Sequence, residues 1–494
     1  MTVREKDRAS IRDPKQNEEE LKENEEELQG KQEQQSITAA EDVFRTMSIP
    51  RAIANNAIPA ILAMLMVLIY NVADTFFIGQ THKALEVSAI SLATPVFLFF
   101  MAVGTIFGIG GTSVISRALG EGRRDYARRV SAFCMWACVV VGIVMAACFL
   151  IFMDPILKLI GASSATWDMT KNYLTIVSFC GPFVLISNCY NNVIRAEGKS
   201  RQAMMGQLIG NLLNVILDPI FILLLHLDVT GAAVATVIGN IVGALYYILY
   251  FLTGKSSLSV NIRDVQIRDH VLSGVLSIGI PAAIGSLLMS VSQIVVNARM
   301  AAYGDLAVAG IGVAMKVTMI TGMICIGFGQ GVQPLFGYCT GARLWDRFKK
   351  SMRYSVIISF LMSAAMTILC YVFINQIVGA FLTNQEALNY GIRFSKIFLT
   401  TSFLFGLYYV YLNAIQAMGA SGSALIINSS RQGIIYIPAL FLLESVMGVY
   451  GLVWAQPVAD VLSTLLVIFL YRRALRDVMG KSKKAEAAPE VSAA

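Results

Sequence analysis

Two aspartates lie inside long apolar stretches of this chain, where a charged side chain is costly unless it has a specific task. Asp74 stands near the end of the first stretch, and Asp218 stands between Asn214 and Pro219 in a later one. Residues four apart share a helix face, so Asn214 and Asp218 are predicted to lie together. Carboxylate and amide oxygens are hard donors, suited to a proton or a small cation and unsuited to zinc or a redox metal.

Thr236 is predicted to add a hydroxyl oxygen to this group. The helix that contains it begins near Gly231 on the same side of the bundle, which puts Thr236 at a depth similar to that of Asp218. Pro219 has no N–H, so a kink and a spare carbonyl are expected beside the acid. Two other interpretations stay open: Asp74 reaches interfacial water, or either carboxyl is a neutral structural group, since burial disfavours the charged form.

Three more charges fall within apolar stretches of the second half: Lys316, Arg431 and Asp460. An isolated buried charge is strongly unfavourable, whereas a paired one can be kept. We therefore expect a structural charge cluster in which Asp460 pairs with Arg431 or Lys316, in preference to a direct role in moving ions or solutes.

The elements that position these residues follow from composition. Of 494 residues, 56% are hydrophobic and 14% are charged, whereas a soluble domain carries about a quarter charged residues. Twelve apolar stretches reach the length that crosses a bilayer as a helix, which is about 20 residues. Residues 60–70 offer no polar face, as a soluble helix would need. The chain is predicted to be a multi-pass membrane protein.

An internal repeat divides these stretches into two sets of six. Pro281 follows Pro59 by 222 positions in matching apolar runs, and later motifs recur within two residues of this offset. Neither Asp74 nor Asp218 has an acidic counterpart at these offsets. Lys and Arg concentrate in alternate loops, which predicts that both termini are cytoplasmic. Six spans per half then give a parallel repeat with its pseudo-two-fold axis along the membrane normal.

The predicted fold class is an all-α polytopic membrane protein with twelve transmembrane helices in two pseudo-symmetric six-helix bundles. Five segments are expected: a disordered charged cytoplasmic N-terminal tail (1–48), an N-lobe bundle (49–254), a cytoplasmic linker (255–270), a C-lobe bundle (271–474) and a cytoplasmic C-terminal tail (475–494). The tail is expected to be disordered because it is highly charged and almost free of apolar residues.

Several other functions are excluded by the pattern. The eight cysteines lie in apolar runs without His or acidic partners, which favours helix packing over a disulfide or metal site. The glycine clusters lie in apolar helices and lack the Gly-Lys-Ser/Thr ending of a phosphate loop. The excess of Lys and Arg in the loops reflects membrane topology and contact with anionic lipid. It does not indicate binding to nucleic acid. We therefore expect that the protein is not an enzyme and needs no cofactor. The energy for its function is expected to come from an ion gradient or a partner.

Over residues 50–473 the chain resembles the multidrug and toxin extrusion (MATE) transporters, in particular their bacterial DinF/MepA-like branch. The motifs that carry the resemblance are Tyr70-Asn71 with Asp74 and Gly79, Arg195-Ala196-Glu197-Gly198, Asn214 with Asp218-Pro219, Lys316 after Gly312-Val313-Ala314-Met315, and Gln456-Pro457 with Asp460. The resemblance implies a V of two lobes and a monomer in the bacterial plasma membrane. It also implies efflux of cationic lipophilic drugs in exchange for H⁺ or Na⁺, hence a role in antibiotic resistance.

The resemblance also implies where the coupling ion binds. The expected cation and proton site consists of Asp74, Asn214, Asp218 and Thr236, with Asn188 as a neighbour closer to the cytoplasm. Other branches place a Glu in the seventh helix, where this chain has Gln293 and Asn297 and no acid. The N-lobe acids are therefore expected to couple ion binding to rocking of the lobes. Two alternatives remain: a lipid-linked oligosaccharide flippase of the same superfamily, and an uncoupled channel or scaffold.

Overall fold

The structure is a computed structural model that describes residues 41–79, 84–254, 256–267, 269–382 and 384–487. These residues form helices and loops, and no strand occurs among them. In the described part of the chain, ten helices are long and apolar enough to cross a membrane, and two further bent helix pairs bring the number to twelve when each pair is one span. The prediction of an all-helical membrane protein is confirmed. We number the spans α1 to α12.

The first six spans form the first lobe. Their bounds are α1 (Ile49–Gly79), α2 (Ala84–Gly120), α3 (Arg124–Ile151), α4a (Trp167–Phe179), α4b (Gly181–Ala196), α5 (Ser200–Asp218, extended by a π-helical turn Pro219–Leu224) and α6 (Asp228–Leu252). Short helical segments occupy Asp42–Thr46, Met153–Leu159 and Ile262–Asp264.

The second lobe repeats this order. Its bounds are α7 (Val271–Ala301), α8 (Asp305–Gly341), α9 (Trp345–Val372), α10a (Gln385–Ser402), α10b (Phe405–Ala417), α11 (Ser421–Met447, with a π-helical turn Ser430–Ile434) and α12 (Val449–Ala487). A short helix covers Ile374–Gly379. The two bent spans, α4 and α10, are related by the repeat and bend by 56° and 48°. In α4 the break falls just before Pro182, which cannot donate a helical hydrogen bond.

The two lobes contact each other along α1, α2, α7 and α8, in a crossed arrangement in which α1 packs on α8 and α2 on α7. The contacts cluster toward the face where α1 begins and α12 ends, which we call the entry face. There, a side chain at Gly341 would collide with the carbonyl of Arg117, and one at Gly120 with the carbonyl of Tyr338. Glycine lets two helix backbones approach this closely.

The linker between the lobes is attached to the first lobe by Glu197, which follows α4b. The buried Glu197 carboxylate accepts hydrogen bonds from the hydroxyl of Ser256 (2.9 Å), the backbone N–H of Ser257 (3.0 Å) and the hydroxyl of Tyr250 (3.1 Å). Burial raises the pKa of Glu197, while the neighbouring Lys199 and the hydrogen bonds from Ser256 and Ser257 oppose that shift. The carboxylate holds the linker close to the end of α6.

Two segment boundaries differ from those expected. α12 continues as a helix to Ala487, since residues beyond 474 include helix-forming Ala, Leu, Arg and Lys. Residues 41–48, expected in the disordered tail, include the Asp42–Thr46 turn, and Phe44 is buried beside Tyr338 of the second lobe. The rest of the expected N-terminal tail, residues 1–40, lies outside the described residues.

Candidate ion-binding site

Four spans of the first lobe bring a polar cluster together in an otherwise apolar bundle. α5 packs on α1 and α6, and α6 also packs on α4a. Asp218, Asn214 and Thr236 are all buried, with Asp218 fully so. Asp74, on α1, is half-buried. The structure therefore brings together four of the five residues expected at the cation site.

Hydrogen bonds within the cluster link α5 to α6. The Asn214 amide lies 3.3 Å from the hydroxyl of Thr236. In the amide orientation that satisfies both of its polar atoms, the nitrogen donates to Asp218 Oδ2 (3.3 Å) while the oxygen accepts from the Thr236 N–H (3.0 Å). Asn214 serves as the bridge between Asp218 and α6 in this orientation, as the four-residue spacing predicts.

Each carboxylate keeps one buried oxygen free of protein donors. Asp74 Oδ1 and Asp218 Oδ1 are both enclosed and have no hydrogen-bond partner among the described residues. Buried polar atoms are otherwise nearly always satisfied, and the two acids are close enough to interact electrostatically. Two carboxylates with amide and hydroxyl oxygens suit a hard monovalent cation or a shared proton.

A transition-metal centre is not supported by this cluster. Within residues 41–487, as far as they are described, no group of three or more His, Cys, Asp and Glu side chains is arranged to hold a metal ion. The donor chemistry of Asp74, Asn214, Asp218 and Thr236 agrees with Na⁺ or H⁺, which need only oxygen ligands.

Two tyrosines belong to the cluster and were missed from the sequence. Tyr70 lies on α1 one turn before Asp74 and is close enough to Asp74 and Asp218 to interact electrostatically with both. Tyr173, on α4a, is buried within electrostatic range of Asp74 and Asp218. The four-residue spacing of Tyr70 and Asp74 is a signal that could have found the first. No comparable signal exists for Tyr173, because the bend of α4 sets its position.

Asn188, expected as a neighbour of the acids, contacts a different helix. Its side-chain nitrogen donates to the carbonyl of Met101 (2.8 Å) and lies 3.4 Å from the hydroxyl of Thr105, both on α2. None of its hydrogen bonds in the described part of the chain leads to Asp74 or Asp218. Its observed contacts tie α4b to α2.

In the second lobe, a buried ion pair joins α11 to α12. Arg431 Nε donates to Asp460 Oδ1 at 2.9 Å, and the side chains are 9% and 2% exposed. Gln456 Nε2 donates to the same oxygen at 3.0 Å, and Thr401 Oγ1 donates to Asp460 Oδ2 at 3.3 Å. Unlike Asp218, Asp460 has hydrogen-bond partners on both oxygens.

Aromatic rings complete the surroundings of Arg431. Its guanidinium carbon lies 4.6 Å from the ring centre of Phe405, 5.0 Å from Tyr408 and 5.6 Å from Tyr409, whose hydroxyl also accepts from Arg431. Such rings attract a cation through their quadrupole. Lys316 instead lies 5.3 Å over the ring of Phe381 and is exposed. Of the three charges expected to cluster, the structure pairs only Arg431 and Asp460.

Both lobes of the chain match one known protein family. The MatE family matches residues 59–220 and again residues 281–442. The chain belongs to the MatE family. The two matched segments correspond to the two lobes, so each carries the same family pattern.

Relatives of known name cover almost the whole chain. The multidrug export protein MepA of Staphylococcus haemolyticus is 33% identical over 430 residues, which is 86% of this chain and 94% of that protein. MepA of Staphylococcus aureus is 32% identical over 438 residues, 87% of this chain and 95% of that protein. An outward-facing multidrug resistance MATE transporter of the MOP superfamily superposes with a TM-score of 0.85 at 21% identity, covering 89% of this chain and 98% of that one. This MatE-family chain thus shares their fold.

Proposed function

We propose that this MatE-family protein is a secondary multidrug efflux antiporter. It exports cationic, lipophilic compounds across a bacterial plasma membrane in exchange for H⁺ or Na⁺. The names of its MepA relatives, which are multidrug export proteins, support drug export. The entry face, by the positive-inside rule, is cytoplasmic.

The paired carboxylates of the first lobe are the single observation that supports ion coupling best. Asp74 and Asp218 lie within interaction range, and each has a buried oxygen without a protein donor. No salt bridge joins either acid to a Lys or Arg among the described residues. A cation or proton entering from the opposite face supplies the missing positive charge. Protons and cations then compete for the same oxygens.

The arrangement of the lobes supports alternating access. Inter-lobe hydrogen bonds occur toward the entry face, where Arg195 donates to Gln330 Oε1 (3.0 Å) and Ser113 Oγ donates to the carbonyl of Gln416 (2.5 Å). The lobes are thus closed toward the cytoplasm in the proposed orientation. Binding of the ion changes the packing of α1 against α5, and linkage requires that drug and ion each weaken the other's affinity by the same factor.

A liposome experiment tests this function. Purified protein is reconstituted and a Na⁺ gradient or a pH gradient is imposed separately, while a fluorescent lipophilic cation reports transport. Antiport predicts uphill movement of the dye with one of the two gradients and none when both are collapsed.

The other outcomes identify the rival functions. Dye flux that only runs downhill, unaffected by either gradient, indicates a channel. No dye flux together with translocation of a pyrophosphate-linked lipid indicates a flippase. Either result overturns the proposal.

A further inference from the structure

A groove on the entry side of the second lobe has the composition of a lipid headgroup site. It has a volume of about 660 Å³ and lies between the start of α1 and the first four turns of α9. The lining residues are Ile49, Pro50, Lys350, Arg353, Tyr354 and Ile357. Because α1 and α9 belong to different lobes, an occupant contacts both of them.

The repeat supplies an internal comparison for this groove. α9 starts at Trp345, 221 positions after Arg124 starts α3, so Lys350 corresponds to Arg129 and Ile357 to Trp136. In the first lobe the linker covers these positions. Arg129 lies 3.4 Å from the carboxylate of Asp269, and Trp136 Nε1 donates to the carbonyl of Val260 at 3.1 Å.

In the second lobe the equivalent positions have no such cover among the described residues. The described residues before α1, 41–48, bind the first turn of α9, where Arg347 donates to the carbonyls of Phe44 (2.7 Å) and Met47 (2.5 Å). Lys350 and Arg353 are exposed, and no described carboxylate lies within ion-pair distance of them. Two cations therefore face a groove that lacks the acid present in the other lobe.

The apolar part of the groove favours a lipid over a peptide. Tyr354 is 45% and Ile357 47% exposed, and Leu361, one turn further along α9, is 61% exposed. This face continues from the cationic rim toward the centre of the bilayer, which matches a phosphate headgroup followed by an acyl chain. Cationic side chains near the membrane surface attract anionic lipids. An acidic peptide would neutralise Lys350 and Arg353 but would leave the apolar side chains of Tyr354 and Ile357 uncovered.

We propose that this groove binds one anionic phospholipid, with the phosphate at Lys350 and Arg353 and an acyl chain along Tyr354 and Ile357. The lipid occupies the position that the linker occupies in the first lobe, and it bridges α1 and α9. It thereby stabilises the arrangement in which the lobes are closed at the entry face.

Lipid binding to the full-length protein in detergent tests this assignment. Native mass spectrometry and thermal unfolding are followed while phosphatidylglycerol or phosphatidylcholine is added. For Lys350→Gln/Arg353→Gln we expect phosphatidylglycerol to bind about 25-fold more weakly, since each cation contributes roughly 1 kcal/mol to such binding. Phosphatidylcholine binding is expected to be unchanged, and soluble glycerol phosphate is expected not to compete.

A matched control carries the same change in charge elsewhere. Lys349→Gln/Arg473→Gln alters two exposed cations outside the groove and is expected to bind phosphatidylglycerol like the wild type. Equal binding by both double variants overturns the proposal. Deletion of residues 2–40 is expected to leave lipid affinity unchanged or higher. If the intact chain shows no selective lipid binding and the deleted chain does, the N-terminal tail is the native occupant and the proposal is wrong.

Discussion

The two lobes share one fold but differ in whether their buried carboxylates have a cationic partner. In the first lobe, Asp74 and Asp218 lie near each other with unsatisfied oxygens and no cationic side chain paired to them in the described structure. In the second lobe, Asp460 pairs with Arg431, and both of its oxygens accept hydrogen bonds. The acids of the first lobe can bind a mobile cation, whereas the acid of the second lobe is already neutralised by the Arg431 side chain.

Both arrangements lie beside a π-helical turn. Pro219–Leu224 follows Asp218 directly in α5, and Ser430–Ile434 contains Arg431 in α11. Such turns are frequent at functional sites because they displace one residue from the regular helix. The helix is thus interrupted in both lobes, although the two turns are not at equivalent positions of the repeat. The contrast predicts that the first lobe responds to ions and the second is insensitive to them.

The largest effect is expected from removing the first-lobe charges. Asp218→Asn and Asp74→Asn keep the side-chain size but cannot balance a cation, so coupled efflux should fall by about 5- to 150-fold, the usual range of coupling between sites. Dye efflux and ion binding in proteoliposomes measure this. Asp305→Asn, at an exposed helix start, is the control. Wild-type coupling in both variants would remove the basis of the comparison.

The next effect concerns the stability of the second lobe. Arg431→Gln leaves Asp460 buried and unpaired, which should cost about 3–5 kcal/mol of unfolding free energy. Adding Asp460→Asn should recover most of that loss, because no isolated charge remains. Thermal unfolding in detergent measures both variants. A stable double variant that has lost gradient-driven efflux would show that the pair has a transport role.

A smaller effect is expected at the linker. Glu197→Gln replaces a charged acceptor of hydrogen bonds from four donor groups and should cost about 1–3 kcal/mol. Since burial raises the pKa of Glu197 above its usual 4.5, the folded wild type binds a proton more readily than the unfolded chain. This one group therefore favours folding less as the pH rises from about 4.5. Melting curves from pH 4.5 to 8 should show this component in the wild type and not in the variant; identical slopes would contradict it.

The smallest effect is expected at Lys316. Lys316→Met removes a cation from above the ring of Phe381 at an exposed position, which should change stability by no more than about 1 kcal/mol. Efflux is expected to remain at the wild-type level when measured in the same proteoliposome assay. A strong loss of efflux would add this lysine to the functional charges of the second lobe.

The sequence predicts the architecture well because a bilayer imposes simple rules. The apolar stretches and the repeat indicate twelve helices in two sets, and the four-residue spacing of Asn214 and Asp218 predicts their shared face. Such relations are local, because they depend only on the geometry of a single helix, and the structure contains them. The end of α12 could not be predicted, because hydropathy stops at the membrane surface while the helix continues to Ala487.

Sequence patterns of this kind do not predict which residues of different helices lie close together. Tyr173 reaches the acids only because α4 bends by 56°, and sequence spacing does not encode the direction of a bend. The choice between Arg431 and Lys316 as the partner of Asp460 was also open, since both lie in apolar stretches. It depends on which helix packs against α12, and α12 packs against α11.

The glycine contacts at the entry face form part of the barrier that closes this side of the molecule. In the proposed function this barrier must open and close once in every transport cycle. The closest approaches there join Gly341 to Arg117 and Gly120 to Tyr338 through backbone atoms. Separating these backbone contacts leaves no charge unpaired and needs no proton, so their share of the energy of opening is nearly independent of pH and salt. Charge enters at this face only through side chains such as Arg195, which donates to Gln330 of the other lobe. Gly341→Ala is thus a way to make the barrier leak without touching the ion site.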